Sequence, residues 1–413
     1  MITPFPTLQE PATVSQAKGI PTTRIASIDI VRALTMVLMI FVNDLGSLRD
    51  IPLWLEHVEP GVDGIGLADV VFPGFLFIVG LSLPFAIDNR RKKGDTQLQL
   101  VGHVITRTIA LLVMGVFLVN GETINTAASG IPRYVWNALC CLSFILIWNT
   151  YSKNANRILV YAAKAAGIAT LLVLAYIYRG GADGNIERFA PQWWGILGLI
   201  GWSYLAAALV TVFSRNSIAA LFIAWTFFCI LSMVNKGGYI PRDSFISFIP
   251  GAILGGTLTG LTMGGVLTAT LFNYFRKRNE HIKMTLLFIA FAALLVALSV
   301  ITRPYWKLAK LGATPAWLFL CSAFTLLAFT AIYWLADRQK KAHWFSFIRP
   351  AGTDTLLCYL IPYFVYSIIR ATNFSWPEPI ITGGIGLLKS LALALFCVFV
   401  TGLLNKGSVK LKL

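Results

Sequence analysis

The sequence has little charge for its length. Only 13% of its 413 residues are Asp, Glu, Lys or Arg, whereas 57% are hydrophobic and the mean hydropathy is +0.72. Soluble domains carry about 25% charged and about 45–50% apolar residues. The shortage of charge excludes a water-soluble globule, and the excess of apolar side chains excludes a disordered chain. The composition therefore predicts an all-α polytopic membrane protein.

Residues that bind metals or form disulfides are also scarce. The six cysteines all lie in apolar runs without a Cys-x-x-Cys motif, and there are only four histidines. We therefore expect small packing cysteines, no disulfide framework and no metal. The Gly-rich segment comprises residues 250–256 with Gly260, Gly264 and Gly265 at small-xxx-small spacing. It lacks the Gly-Lys-Ser/Thr that completes a phosphate-binding loop, so close helix packing explains its glycines better.

Long apolar runs are abundant. We predict a polar tail without a cleavable signal peptide at residues 1–27, a single transmembrane domain at 28–404 and a basic tail at 405–413. The fourth run contains Asn137 and the eleventh contains Pro362, and ten or eleven spans are the alternative to twelve. The twelve predicted spans are 28–48, 66–88, 101–120, 132–150, 158–178, 193–213, 217–235, 247–272, 283–302, 314–336, 354–371 and 380–404.

The basic residues alternate between loops. The chain has 34 Lys and Arg against 18 Asp and Glu, a formal net charge of +16. About 20 of the basic residues fall on one side of the predicted bundle and about 10 on the other. By the positive-inside rule both termini are cytoplasmic. The basic clusters 90–93 and 276–278 then face anionic lipid headgroups, with a polyanionic cytoplasmic ligand as the alternative, and we expect no nucleic acid.

Ionisable residues within a span are costly and usually mark function. Asp29 and Arg32 are three residues apart, so they share one helix face near the cytoplasmic end of the first span. They either neutralise each other or bind a ligand. Arg107, in the third span, is a candidate to face an anionic group, and Lys389 is expected to reach the interface or find a partner.

The first outward loop contains the only outward-facing histidine, His57, among several carboxylates. An unperturbed imidazole accepts a proton near neutral pH, and a neighbouring carboxylate can orient it. Asp69, at the outer boundary of the second span, is a candidate to cap that helix or to hold a partner. His57 is therefore our candidate general base, with a merely solvated loop histidine as the alternative.

These residues resemble a known family. The segments RIASIDIVRALTMVLMIFVN (24–43) and DGIGLADVVFPGFLFIVG (63–80), separated by His57, resemble the heparan-alpha-glucosaminide N-acetyltransferase family. Weaker similarity continues through 244–265 and 347–366, and together these segments cover about a quarter of the chain.

The resemblance implies a transmembrane acetyltransferase of a bacterial inner membrane. Such an enzyme moves an acetyl group from cytoplasmic acetyl-CoA to the amine of an amino sugar on the periplasmic side. His57 would be the base and Asn43 the oxyanion donor, and the family suggests a homodimer in membrane lipid. The residues implied to bind substrate or acetyl-CoA are Asp29, Arg32, Asp69, Arg107 and Asn137.

Departures from the family leave the acceptor open. Asp354 stands where the family has Asn, and two extra spans lie between residues 158 and 243. A transporter of amino sugars is one alternative, although the pattern from Asp29 to Gly80 has no second copy after residue 200. A membrane O-acetyltransferase acting on a cell-surface glycan is another; those enzymes place a histidine near the position of Asn43. A structural scaffold is the third alternative.

Overall fold

The computed structural model describes residues 25–152, 154–182, 184–241, 243 and 245–411. Within these ranges the chain is helical, and its few backbone bridges are isolated pairs rather than strands. The prediction of an all-α polytopic protein is confirmed. Residues 1–24 of the predicted polar tail and the last two residues of the predicted basic tail lie outside the described ranges.

Each predicted span coincides with one long helix. The apolar runs predicted where the helices lie, and most helix ends differ from the predicted bounds by a few residues. The eighth helix is the exception, because it begins at Thr257, ten residues after the predicted start. The helices are α1 Ala26–Asp44, α2 Leu67–Lys92, α3 Gln97–Glu122, α4 Arg133–Trp148, α5 Arg157–Ile177, α6 Ile196–Ser214, α7 Ile218–Lys236, α8 Thr257–Lys277, α9 His281–Trp306, α10 Pro315–Tyr333, α11 Thr355–Ala371 and α12 Gly383–Lys406.

Length and apolar composition qualify nine helices in the described part of the chain as membrane spans, or ten if a bent pair counts as one span. That pair is Ala342–Thr353 followed by α11, with a 77° bend. Helix α4 is only 16 residues long, and α8 is rich in Thr and Gly. The fold class is thus established, and twelve crossings stay a prediction.

Pro362 does not interrupt the eleventh predicted span, which begins at residue 354. Helix α11 continues through this proline, and the break falls at Asp354, which precedes the helix with extended φ of −135°. Pro362 removes only one backbone donor from the helix, and neighbouring groups in a bundle tolerate that loss.

Helix α8 does not qualify as a membrane span by its apolar composition, because it faces protein rather than lipid. Most of its residues are buried, and its threonine hydroxyls donate to carbonyls one turn earlier, as Thr268 does to Gly264 at 2.8 Å. A Cβ on Gly265 would overlap the carbonyl oxygen of Phe77, and one on Gly80 would overlap that of Thr262. Close packing of α2 on α8 therefore explains these glycines, as predicted for the Gly-rich segment.

Hydrogen bonds between helix ends form two groups at opposite faces of the bundle. On one face the Asp337 carboxylate accepts the backbone N–H of Ala26, and the backbone carbonyl of Lys410 accepts that of Thr150. We call this the basic face, because the clusters 90–93 and 276–278 lie there. On the other face, the backbone N–H of Arg49 donates to the carbonyl of Ile381, and the Asp63 carboxylate accepts the backbone N–H of Leu308. The first and last described residues lie on the same face, whereas the orientation in a membrane stays a prediction.

Candidate active site

The loop between α1 and α2 folds back onto the first turn of α2 around one carboxylate. Asp69 Oδ2 accepts the backbone N–H groups of Val58 at 3.0 Å and Gly66 at 3.1 Å. Gly66 directly precedes α2, so Asp69 caps the helix, as predicted. A Cβ on Gly66 would overlap the carbonyl oxygen of Glu56, which explains the glycine at this crossing.

The second oxygen of this carboxylate holds the predicted base. Asp69 Oδ1 lies 2.7 Å from His57 Nδ1. The Asp69 side chain is 3% exposed and that of His57 is 48% exposed. Because an ionised carboxylate only accepts, this contact assigns the proton of a neutral imidazole to Nδ1 and leaves Nε2 to accept another. A loop histidine that is merely solvated would lack this buried partner.

A tryptophan fixes the carboxylate from the protein side. Trp317, at the start of α10, is fully buried, and its Nε1 donates to the backbone carbonyl of Asp69 at 2.9 Å. Asp69, which orients His57, therefore lies in the first turn of a helix that packs against Trp317. Catalytic geometry is best held by such supported residues, because exposed loops hold side chains less firmly.

Lys310 adds a cation that the sequence did not single out. Its Nζ lies 3.2 Å from Nδ1 and 3.3 Å from Nε2 of His57, and 4.0 Å from Asp69 Oδ1. Burial lowers the pKa of the Lys310 ammonium, and the Asp69 carboxylate opposes that shift. Lys310 belongs to the loop between α9 and α10, where Lys307 is a second and similar cation, so the sequence carried no signal for its role.

Asp63 ties the two loops of the site together. Its carboxylate accepts the backbone N–H of Leu308 at 2.8 Å and the Nε of Arg303 at 3.0 Å. The Leu308 amide has the largest effect in holding the pKa of Asp63 below its ordinary value, and the Arg303 side chain adds to it. The loop that carries Lys310 is thereby fastened to the loop that carries His57.

A cavity of about 510 Å³ opens beside these side chains, and we call it the His57 cavity. Apolar residues of α1, α2 and α6 form much of its wall. Such a mostly apolar cavity with a few convergent polar groups is the usual form of a small-molecule site. Its polar lining comes from Asn43, His57, Asn235, Lys236 and Lys310.

A second cavity of about 660 Å³ meets the first at Asn43, which lines both, and we call it the tyrosine cavity. Asn137, a predicted substrate residue, lies in its wall. The structure thus brings Asn43 together with His57 in one cavity and with Asn137 in the other. The polar lining of the tyrosine cavity comprises Asn43, Glu122, Arg133, Tyr134, Asn137, Tyr359, Tyr363, Tyr366, Ser367 and Arg370.

A buried ion pair supports the end of α1 next to Asn43. Asp44 accepts from Lys389 at 2.7 Å, from Ser390 at 2.6 Å and from Tyr366 at 2.8 Å. The expected partner of Lys389 is therefore Asp44. Sequence reasoning missed Asp44, although an acidic residue beside Asn43 at a span end was an available signal.

The predicted acetyl-CoA residues of α1 lie at the other face. Arg32 donates to Asp29 at 3.1 Å, to the carbonyl of Gly352 at 3.0 Å and to Ser82 at 2.6 Å. The helix rises about 17 Å between Arg32 and Asn43. The mutual neutralisation of Asp29 and Arg32 is observed, and their role toward a ligand stays a prediction.

Arg107 is likewise apart from His57. Its guanidinium lies over the ring of Tyr204, 4.8 Å from the centroid, in the half of α3 nearer the basic face. A role in binding an anion stays a prediction. Among the described residues, no three His, Cys, Asp or Glu side chains converge to hold a metal ion.

Part of the chain is similar to known proteins. Residues 24–217 match a family model described as a domain of unknown function, DUF5009. The heparan-alpha-glucosaminide N-acetyltransferases of Mus musculus and Homo sapiens are 35% and 32% identical over 98 residues. These alignments cover 24% of this chain and 14% of each relative. They indicate a distant relation to that N-acetyltransferase.

Proposed function

We propose that this protein is a transmembrane acetyltransferase that transfers an acetyl group from acetyl-CoA to an amino sugar. The observation that carries the proposal is the Asp69–His57 pair in the wall of a cavity that Asn43 also lines. The two relatives bear the name of an N-acetyltransferase, which supports acyl transfer as the reaction class.

The chemistry follows from the ring nitrogen that Asp69 does not bind, Nε2. His57 Nε2 takes a proton from the acceptor amine as its nitrogen attacks the thioester carbonyl. The C–N bond forms, the C–S bond breaks, and the imidazolium returns the proton to the departing sulfur. A positioned general base contributes about 10²–10⁴ in rate. The Asn43 amide donates to the developing oxyanion, a contribution of about 10²–10³.

The arrangement of faces suggests how the two substrates approach. We place the acceptor at the face that carries His57 and the acidic loop, and the nucleotide of acetyl-CoA at the basic face. Arg32 and the cluster 90–93 supply cations there for phosphate groups. The pantetheine arm would then thread between the helices over roughly the 17 Å from Arg32 to Asn43. This assigns the site face to the periplasm of a bacterial inner membrane, and we propose a homodimer.

One observation favours a second candidate, transfer to a hydroxyl group. Lys236 and Lys310 line the His57 cavity, whereas none of the described residues that line it is an Asp or Glu. Like charges repel, so this lining disfavours a protonated amine and favours a neutral or anionic acceptor. An O-acetyltransferase acting on a glycan would use the same base and the same donor.

Proteoliposomes with labelled acetyl-CoA on one side and glucosamine on the other test the proposal. We expect N-acetylglucosamine on the acceptor side, and a loss of more than about a hundredfold in turnover for His57→Ala. His343→Ala is the matched control, because His343 is an exposed histidine of the basic face. The control should retain the turnover of the unmodified protein.

Each outcome discriminates between the candidates. Acetylation of an added glycan hydroxyl, with glucosamine unchanged, would support the second candidate. Passage of unmodified glucosamine without any effect of acetyl-CoA would replace both with a transporter. Turnover in His57→Ala equal to that of the unmodified protein would remove His57 from the mechanism.

A further inference from the structure

The amine closest to His57 in this structure belongs to the protein itself. Lys310 Nζ lies 3.2 and 3.3 Å from the two ring nitrogens, within the distance over which a proton can be exchanged. Its side chain is 22% exposed and lines the His57 cavity, where the proposed function places the thioester. We infer that Lys310 is a self-acetylation site that silences the enzyme, an inference that rests on the proposed function.

The position of Lys310 suits it as a nucleophile. A lysine becomes nucleophilic when it loses its proton, and desolvation favours that loss. Burial lowers the pKa of Lys310, in agreement with the geometry. The loop cannot easily withdraw the amine, because Asp63 and Gly64 both bond to Leu308, two residues before Lys310.

The step balances without another reactant. His57 Nε2 accepts a proton from the Lys310 ammonium, and the neutral amine attacks the carbonyl carbon of acetyl-CoA. The amide C–N bond forms and the thioester C–S bond breaks. Of the two protons that the ammonium loses, one ends on the CoA sulfur and the other passes to solvent.

The product differs from the starting site in charge and in shape. Acetylation removes the cation beside His57 and places an acetamide in the cavity. An amide is stable to hydrolysis on the time scale of turnover, so the modified molecule would accumulate when acetyl-CoA is present and acceptor is absent. Bound acceptor would compete for the same thioester and protect Lys310.

Two lysines serve as internal controls. Lys307, in the same loop, is exposed and donates to the carbonyl of Gly61 at 2.8 Å, so it measures spontaneous chemical acetylation. Lys236 lines the same cavity without a described contact to His57. Selective labelling of Lys310 over both would require proximity to the base rather than mere access to acetyl-CoA.

The experiment incubates the full chain in detergent with labelled acetyl-CoA and no acceptor, followed by peptide mass mapping. We expect label on Lys310 at least about tenfold above Lys307, since a general base contributes about 10²–10⁴ in rate. His57→Ala should reduce Lys310 labelling to the level of Lys307. During preincubation with acetyl-CoA, the turnover of Lys310→Arg should stay at its own starting value. The turnover of the unmodified protein should fall with time.

Two results would overturn the inference. Lys310 would not be a self-acetylation site if its label only matched that of Lys307, or if the label were undiminished in His57→Ala. Turnover of an added acceptor without label on Lys310 would refute self-acetylation alone. Label on Lys310 that depends on His57, without turnover of any added acceptor, would support self-acetylation and refute the proposed acceptor.

Discussion

At the scale of single residues, the candidate site depends on one carboxylate with two duties. Asp69 caps α2 through the amide of Gly66 and orients His57 through its other oxygen. Because Asp69 caps a helix, the fold fixes the position of its side chain. His57 therefore has a hydrogen-bond partner in a fixed position. Asp44 has a comparable position beneath Asn43, where the cation of Lys389 compensates its buried charge.

We predict that Asp69→Asn lowers turnover by about 10²–10⁴ and leaves the fold intact. The amide oxygen can still accept from Val58 and Gly66, whereas its NH₂ group would donate to His57 Nδ1 and shift the ring proton to Nε2. The same exchange in a Ser-His-Asp triad costs about 10⁴ in turnover. Steady-state kinetics and a thermal melt of the purified variant measure both effects.

Asp63→Asn is the matched control for this variant. Asp63 belongs to the same loop but pairs with Arg303 and Leu308 rather than with His57. Compared with Asp69→Asn, its replacement should lower the melting temperature more and the turnover less. A larger loss of turnover in Asp63→Asn than in Asp69→Asn would contradict the assigned roles.

At the scale of helices, small residues determine which elements can form the core. Helix α8 contacts α2 so closely that neither Gly80 nor Gly265 has room for a Cβ. This contact holds the middle of α2, whose first turn carries Asp69, the partner of His57. The outer helices need fewer small residues for packing, because α5 and α9 expose most of their apolar side chains, as lipid-facing spans do.

Gly265→Ala is expected to destabilise the bundle by about 1–3 kcal/mol, the usual cost of overpacking. The added methyl would meet the backbone of α2 rather than a side chain that can move. Gly102→Ala in α3 is the control, since nothing lies within 4 Å of the added Cβ and alanine favours a helix. Thermal unfolding in detergent compares the two, and equal melting temperatures would refute the packing argument.

At the scale of the whole molecule, the bundle separates a basic face from the face that carries His57. The positive-inside rule predicts that the basic face is cytoplasmic. All six cysteines are buried, so cysteines introduced into exposed loops can be labelled over a low background.

We predict that Glu59→Cys, in the loop of His57, reacts with a membrane-impermeant maleimide in intact cells. Lys93→Cys, in the basic loop after α2, should react only after the cells are permeabilised. Both positions are exposed, so a difference in labelling reports sidedness rather than burial. The reversed pattern would place His57 in the cytoplasm and would require an acceptor on that side.

The sequence by itself determined the fold class and located every long helix, because hydrophobic side chains in runs of this length have no stable place except a membrane or a buried core. It also singled out His57, Asn43 and Asp69, since ionisable and polar residues beside spans are rare. It placed the start of the eleventh span at residue 354, where the break before α11 falls. It did not predict the 77° bend there, because an apolar run indicates a helix but not its angle to the preceding one.

Only the tertiary structure decided which of these residues meet. Asn43 shares a cavity with His57, whereas Asp29 and Arg32 lie at the opposite face and bond to each other. Lys310 approaches His57 from a position 253 residues away in the chain. No periodicity or spacing encodes such a contact, because it depends on how α10 packs against α2, on how α9 packs against α10, and on the pairing of Asp63 with Leu308.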